Sequence, residues 1–372
     1  MEASIKKQIL AIATMSGTII GVGVFSLPYI AVRVGFGLML FYLFVLTALV
    51  VLIHLLFGEV ALKTPDFLRL PGYAQIYLGK WGRKIAVITA VFGSIGTLLV
   101  YIIVGGEFLA NLLMPFLNGD VFLYTLLYFI LGSLFIFWGI KAISKIEFWG
   151  LVLLFFSLIF VFWRGLPFLK IDNLSFTNNF ADFFLPYGPI LFALWGATMI
   201  PEIEEMLIRD KKKVKRTVFI STVIPAIFYL FFVVFVVMIS GPGTTQEAIV
   251  GLKNILGQNI TSMMFLAGFL ATFTSFITVG LTLKKVFWYD LKMPHYFSWV
   301  LTCSLPFLLY LLGVKDFIKV IGFIGGVMLA IEGVLILLMY GKVKKNKSKL
   351  LVYPLVSVFI LGIVYEIIHF FK

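Results

Sequence analysis

The sequence predicts an all-α integral membrane protein with eleven transmembrane helices. They form two five-helix repeats of opposite orientation plus one C-terminal helix, with helices 1 and 6 broken. Three observations predict this. Of 372 residues, 62% are hydrophobic and 13% charged, where a soluble domain carries about 25% charged residues. Eleven apolar runs reach bilayer length, about 20 residues each. Two of them carry glycine and proline in mid-membrane, where each glycine costs a helix about 1 kcal/mol and a proline about 3.

The runs cover 7–33, 36–62, 83–114, 120–140, 145–163, 183–206, 214–240, 258–287, 295–313, 317–341 and 350–371. Run 1 contains "TMSGTIIGVGVFSLPYI", with Gly17, Gly21, Gly23 and Pro28. Run 2 carries His54, read as a packing residue, and Glu59 near its end. Run 3 has Gly93, Thr97, Tyr101 and Gly105 at steps of four. That stripe is expected to pack on spans 1 and 6, with Tyr101 closing a pocket. Lys145 opens run 5 and is expected to snorkel to the surface. Run 6 contains "LFALWGATMIPEIEEM", with Gly196 and Pro201. The linker 241–257 has a core, 246–256, that reads as a surface helix. Run 8 places Ala271, Thr274, Ser275 and Thr278 on one helical face.

The two interruptions match. One falls near Ile19, about 13 residues after Lys6, and the other near Trp195, about 13 residues after Asp182. An odd number of spans separates them, so they run in opposite directions. Interrupted helices at corresponding positions of inverted halves point to a secondary transporter. Residues 1–165 form the first repeat and 180–342 the second. Residues 350–372 add one helix, and no separate soluble domain is expected.

Irregular backbone at membrane depth has to line a cavity or be buried in protein. A half-helix that starts there offers free N–H groups to an anion, and one that ends there offers carbonyls to a cation. The N–H groups of Gly21, Val22 and Gly23 suit a carboxylate. The carbonyls of Gly17 to Ile20 suit an ammonium or a metal ion, and those of Phe192, Ala193 and Trp195 would complete the ammonium site. The pair matches an α-amino acid zwitterion. The span 8 hydroxyls could complete an oxygen cage of the kind hard cations take. They could equally bond back to their own helix.

Carboxylates inside spans are expensive and are functional candidates. Glu107, Glu202 and Glu332 are the candidates for proton uptake or gating. Glu204 and Glu205 approach the surface beside Glu202. The net charge is +13, but its distribution is topological. With the N-terminus inside, 23 Lys and Arg fall on inner segments and 7 on outer ones. By the positive-inside rule this sets the N-terminus in the cytoplasm and the C-terminus outside, and it removes any case for nucleic acid. One cysteine, Cys303, excludes a disulfide framework. No cofactor or enzymatic activity is expected.

"GTIIGVGVFSLP" (17–28), "FALWGATMIPEIEEM" (192–206) and "TFTSF" (272–276) resemble the amino acid–polyamine–organocation superfamily. So do "YIIVGGEFLANLL" and "FIKVIGFIGGVMLAIEGVLILLMYGKVKK". The closest match is its amino acid/auxin permease branch. The resemblance implies the leucine-transporter (LeuT) fold with rocking-bundle alternating access. It implies a sodium site from the carbonyls of Gly17, Ile20 and Ala271 and the hydroxyls of Thr274 and Ser275. It places substrate along Thr18, Ile19, Gly21, Val22 and Gly23 and along Phe192, Ala193, Trp195 and Gly196. Val22 and Phe25 depart from the branch, which often has Ala and Leu there. Relatives use sodium or protons.

The expectation is therefore a multi-pass plasma-membrane symporter that couples an amino acid to Na+ or H+, sodium being favoured. The alternative is a non-transporting amino acid receptor or germinant sensor on the same fold. No sequence feature sets an oligomeric state, and a monomer is expected.

Overall fold

The computed structural model describes residues 2–65, 67–139, 143–176, 180–344 and 349–370. These residues are all-helical, with no strand among them. Fifteen α-helices are described: α1 (Glu2–Ile19), α2 (Leu27–Val34), α3 (Phe36–Lys63), α4 (Leu70–Leu113), α5 (Val121–Trp138), α6 (Ile143–Gly165), α7 (Tyr187–Leu194), α8 (Ile200–Met206), α9 (Lys211–Ser240), α10 (Ile249–Leu256), α11 (Gln258–Lys285), α12 (His295–Leu311), α13 (Phe317–Phe323), α14 (Ala330–Val343) and α15 (Lys349–Phe370). The side chain of Lys145 lies outside the described residues.

Seven helices are long and apolar enough to cross a bilayer. The stretches Ile5–Ile19 and Val22–Val34 pass together as an eighth, bent by 46°. Shorter apolar helices, Val152–Phe168 and His295–Leu311, coincide with two more of the expected runs. Run 6 is divided among α7, a 3-10 turn at Ala197–Met199, and α8. The surface helix expected over 246–256 is present as the shorter α10. Its start is delayed by Ala248, whose φ of 50° lies in the left-handed region.

The helices segregate into two groups. α1, α2, α3, α7, α8 and α9 pack on one another, while α4, α5, α6, α11 and α12 form a second body. The stretch α13–α14 lies between them, and α15 packs outside on α14. A wide π-type turn at Ile324–Leu329 separates α13 from α14. Glycine makes the closest approach there: a Cβ on Gly325 would land on the carbonyl of Gly188 in α7. Long α4 is two helices joined at Gly79, whose φ of 77° and ψ of −161° break the helix before the span begins. Glycine takes that left-handed φ without a Cβ penalty.

The stripe on α4 does not pack as the sequence suggested. Gly105 receives the ring of Tyr128 from α5, and Gly93 faces Met328 in the wide turn. The small residues admit large side chains from spans 4 and 10, so the face turned toward span 1 is left to Tyr101.

Ion pairs gather at the end of the bundle where α1 starts. Glu59 on α3 binds both Lys215 of α9 and Lys344 beyond α14. Arg69 meets Glu202 at 2.6 Å, and Arg209 meets buried Glu204 at 3.3 Å. Glu202, expected to gate, thus ties α8 to the N-cap of α4. The exposed pairs among these contribute about 0–1 kcal/mol each.

At the opposite end, the segment between α9 and α11 is latched to the end of α4. Asn111 accepts from Lys253 Nζ at 3.0 Å and donates to Glu107 Oε1 at 3.1 Å, and Gln258 donates to the Asn111 carbonyl at 2.8 Å. Glu107, a second gating candidate, therefore serves this latch. Glu247 lies in the same segment. Burial pushes its carboxyl up to about 7, reinforced by the charges of Glu107 and Asp316. A raised carboxyl favours the packed segment while protonated. That contribution is full near and below pH 4.5, its ordinary value, and is lost as pH rises to about 7. Amide exchange over 244–257, corrected for intrinsic rates, should quicken between pH 5 and pH 7.5. Glu247→Gln should flatten that dependence; an unchanged profile in the variant rules out Glu247 as its source.

Candidate functional site

α1 ends at Ile19 because the backbone turns. Gly21 N–H donates to the carbonyl of Ile19 at 2.8 Å, two residues back, and Gly21 is extended at φ −120°, ψ −159°. The chain restarts as a 3-10 turn, Val22–Ser26, before α2. This corrects one expectation. Gly21 N–H is already engaged, so the N–H groups at the start of the new turn are those of Val22 and Gly23, and neither has a backbone acceptor in a turn or loop.

Span 6 opens in the same way. α7 stops at Leu194, Trp195 is extended at φ −73°, ψ 121°, and the chain restarts at Ala197. The carbonyl of Phe192 accepts from Trp195 N–H at 3.4 Å. Gly196 N–H, freed by the break, donates to His54 Nε2 on α3 at 3.2 Å. That contact assigns the ring proton to Nδ1, which donates to Thr222 on α9 at 3.0 Å. His54 is thus a satisfied packing residue, as read, but what it satisfies is the interrupted helix.

The two interruptions touch. A Cβ on Gly23 would lie 2.9 Å from both Cα and Cβ of Ala193, and one on Gly196 would lie 2.7 Å from Ile19 Cγ1. Tyr229 of α9, fully buried, pins them. Its hydroxyl donates to Ile19 O at 2.6 Å and to Ala193 O at 2.9 Å. Sequence reasoning missed Tyr229, since a tyrosine in an apolar run carries no local sign of its partners.

Beside this knot lies a cavity of about 110 Å3, lined by Gly17, Thr18, Ile20, Gly21, Val22 and Tyr101 on one side. Ala271, Thr274, Ser275 and Thr278 of α11 line the other. All five residues of the expected cation set, and four of those expected to hold substrate, therefore meet in one space. Ile19, Gly23, Phe192, Ala193, Trp195 and Gly196 do not line it. They form the packed junction behind it. Thr274 Oγ1 donates back to Leu270 O at 2.9 Å and Ala271 O at 3.2 Å. A hydroxyl that donates within its helix keeps its lone pairs as acceptors, so the arrangement suits both readings of the stripe. Thr14 and Thr18 are exposed along α1, and the cavity is reached from that side. Toward the other end it is capped by Phe25, which meets Phe108 edge-on at 5.2 Å and Phe232 at 6.1 Å.

Glu332, at the start of α14, is buried and accepts from Trp195 Nε1 at 3.1 Å. Glu366 on α15 is 3% exposed and was not singled out in the sequence. Its carboxyl sits in a socket of three glycines. A Cβ on Gly188 would fall 2.5 Å from Oε1, one on Gly322 3.1 Å from Oε2, and one on Gly326 into its side chain. A carboxylate inside an apolar run was the available signal.

The fold matches two solved structures across nearly the whole chain. One is MhsT in complex with L-phenylalanine: TM-score 0.63, 14% identity, covering 97% of each chain. The other is Mhp1, a nucleobase-cation-symport-1 family transporter: TM-score 0.64, 12% identity, covering 96% of this chain and 90% of that one. Two interrupted helices meeting beside a small cavity, in a bundle of this fold, define the class: an all-helical protein with the architecture of those LeuT-fold proteins. A model of the tryptophan/tyrosine permease family matches residues 4–369. The chain belongs to that family, whose members are transporters of the amino acid–polyamine–organocation type. It is 29% identical to the Tyrosine-specific transport system 1 of Haemophilus influenzae over 287 residues, 73% of this chain and 70% of that protein. It is likewise 29% identical to system 2 of the same organism over 227 residues, 58% of this chain and 54% of that one.

Proposed function

We propose that the protein is a cation-coupled symporter of aromatic amino acids working by alternating access. The observation that carries the reading is the cavity between the α1 break and α11, where the backbone of Val22 stands beside the carbonyl end of α1 and the hydroxyls of α11. The carboxylate would sit at the start of the 3-10 turn. Tyr101 and Phe25 give the side chain an aromatic wall. The tyrosine-specific relatives and the phenylalanine-bound neighbour support an aromatic substrate. They equally disfavour a receptor that transports nothing.

In this reading the chain crosses the membrane eleven times, with residues 1–165 and 180–342 as inverted repeats and spans 1 and 6 broken. Its motifs resemble those of the amino acid/auxin permease branch. The N-terminus is cytoplasmic. The group built from spans 1, 2, 6 and 7 rocks against spans 3, 4, 8 and 9. The cavity then opens inward here, with the Phe25 cluster closing the outer end. Sodium is the favoured cation at the junction, held by the carbonyls of Gly17, Ile20 and Ala271 with Thr274 and Ser275, an all-oxygen donor set suited to a hard ion.

Uptake into proteoliposomes of labelled tyrosine, tryptophan, phenylalanine and leucine, under separately imposed sodium and proton gradients, tests substrate and ion together. Aromatic amino acids should enter and compete with one another. Thr274→Ala combined with Ser275→Ala should raise the sodium concentration for half-maximal uptake at least tenfold. Ion dependence identical to wild type would remove the junction as the cation site.

A further inference from the structure

Glu332 is 5% exposed, and none of the ion pairs among the described residues involves it. Each element packed around it contributes a neutral group. Span 6 gives the indole N–H of Trp195, at 3.1 Å. α4 gives the hydroxyl of Thr89, which itself donates to Ala86 O. α15 presents the ring of Phe359 to the neighbouring Gly333. α3 brings His54, whose ring centre lies 5.7 Å from that of Trp195, and α15 brings Glu366, whose side chain lies against Gly326 in the turn before α14. Both His54 nitrogens are occupied, by Gly196 N–H and by Thr222. Glu59, which also joins α3 to the α14 end, is engaged by Lys344 and Lys215.

An ionised carboxylate held this way at membrane depth costs about 2.5–3.5 kcal/mol or more without a counter-charge. The neutral acid does not, since a carboxylic acid both donates and accepts. Occlusion therefore favours a proton on Glu332, and contact with water favours its loss. The partner that senses the change is Trp195, the residue at the opening of span 6. Glu332 also follows the wide turn Ile324–Leu329, a local irregularity of the kind frequent at functional sites.

We propose that Glu332 is a proton-binding site distinct from the cation site at the α1–α11 junction, and that Trp195 couples its occupancy to the broken span 6. The proposal rests on the transporter reading and adds a second ion to it. One proton is taken up by the carboxylate on the side where the site is wet and given back to water on the other. No other bond changes.

The test uses the full chain in proteoliposomes with equal sodium on both sides and labelled tyrosine. Wild type should accumulate tyrosine about tenfold per unit of imposed pH gradient, the thermodynamic limit for one proton. Glu332→Gln should fall to about onefold. Glu332→Asp should recover part of the gradient response. Equal accumulation by wild type and Glu332→Gln, or wild-type uptake that ignores the pH gradient, overturns the proposal. A second readout needs no transport: tryptophan fluorescence of detergent-purified protein titrated from pH 4.5 to 9. Wild type should show a titrating component that vanishes in both Glu332→Gln and Trp195→Phe. The same titration in all three proteins overturns the site. If wild type exchanges no amino acid at all, the transporter reading falls, and the fluorescence still decides for or against Glu332.

Discussion

Tyr229→Phe lowers the kcat/KM of uptake ten- to a hundredfold while the protein still folds. The substitution removes one oxygen and keeps the ring in its buried place. Two carbonyls, Ile19 O and Ala193 O, lose a donor at 2.6 and 2.9 Å. Ile19 O retains the N–H of Gly21, but Ala193 O has no other donor among the turn and loop hydrogen bonds. A buried acceptor left unmade costs about 1–3 kcal/mol, and 1.4 kcal/mol is a factor of ten. The cost falls on the crossing of the two interrupted helices rather than on the surrounding bundle. Uptake kinetics beside a thermal melt check it: activity should drop by the stated factor with a shift in melting of only a few degrees. Uptake equal to wild type would mean that packing alone holds the crossing.

The second large effect separates two neighbouring glycines. A Cβ at Gly23 meets Ala193 backbone and side chain at 2.9 Å, whereas at Gly21 the nearest atom is Ile19 O at 4.0 Å. Overpacking of a rigid contact costs about 1–3 kcal/mol. Gly23→Ala should therefore lower the melting temperature and abolish uptake, because it drives span 1 off span 6. Gly21→Ala should melt like wild type and still lose substrate affinity, since Gly21 lines the cavity and its new methyl stands in the substrate's space. Binding of labelled tyrosine to purified protein, set beside the melts, distinguishes the two. Equal behaviour of the two variants would refute the division into a packed junction and an open cavity.

Most of the fold was legible because lipid forces it to be. Apolar runs must be long and self-bonded, so their rough limits are written in composition. The glycines of span 1 and the Gly196–Pro201 pair of span 6 announced themselves because nothing else makes weak helix formers tolerable there. The face Ala271, Thr274, Ser275 and Thr278 followed from helical spacing and does line the cavity. What stayed hidden was pairing across distance. His54 finding Gly196, Tyr229 finding both interruptions, and Gly105 finding Tyr128 rather than span 1 depend on which helices become neighbours. Gly21 was misjudged for a local reason. A two-residue backbone bond, from Gly21 N–H to Ile19 O, leaves no trace in residue type.

The three glycines around Glu366 belong to α7 and the α13–α14 stretch, yet their shape answers to α15. They form a mould of one carboxylic side chain, cast into α7 and the α13–α14 stretch by α15. A fourth, Gly362 on α15, returns the fit, since a Cβ there would strike the ring of Tyr187. The last helix is therefore no detachable tail. A chain cut before Lys349 would carry an unfilled slot at the place where α7 and α13 meet. Helix and mould therefore have to change together: a bulkier residue at any of the three glycines displaces α15, and a smaller one at Glu366 leaves its socket empty.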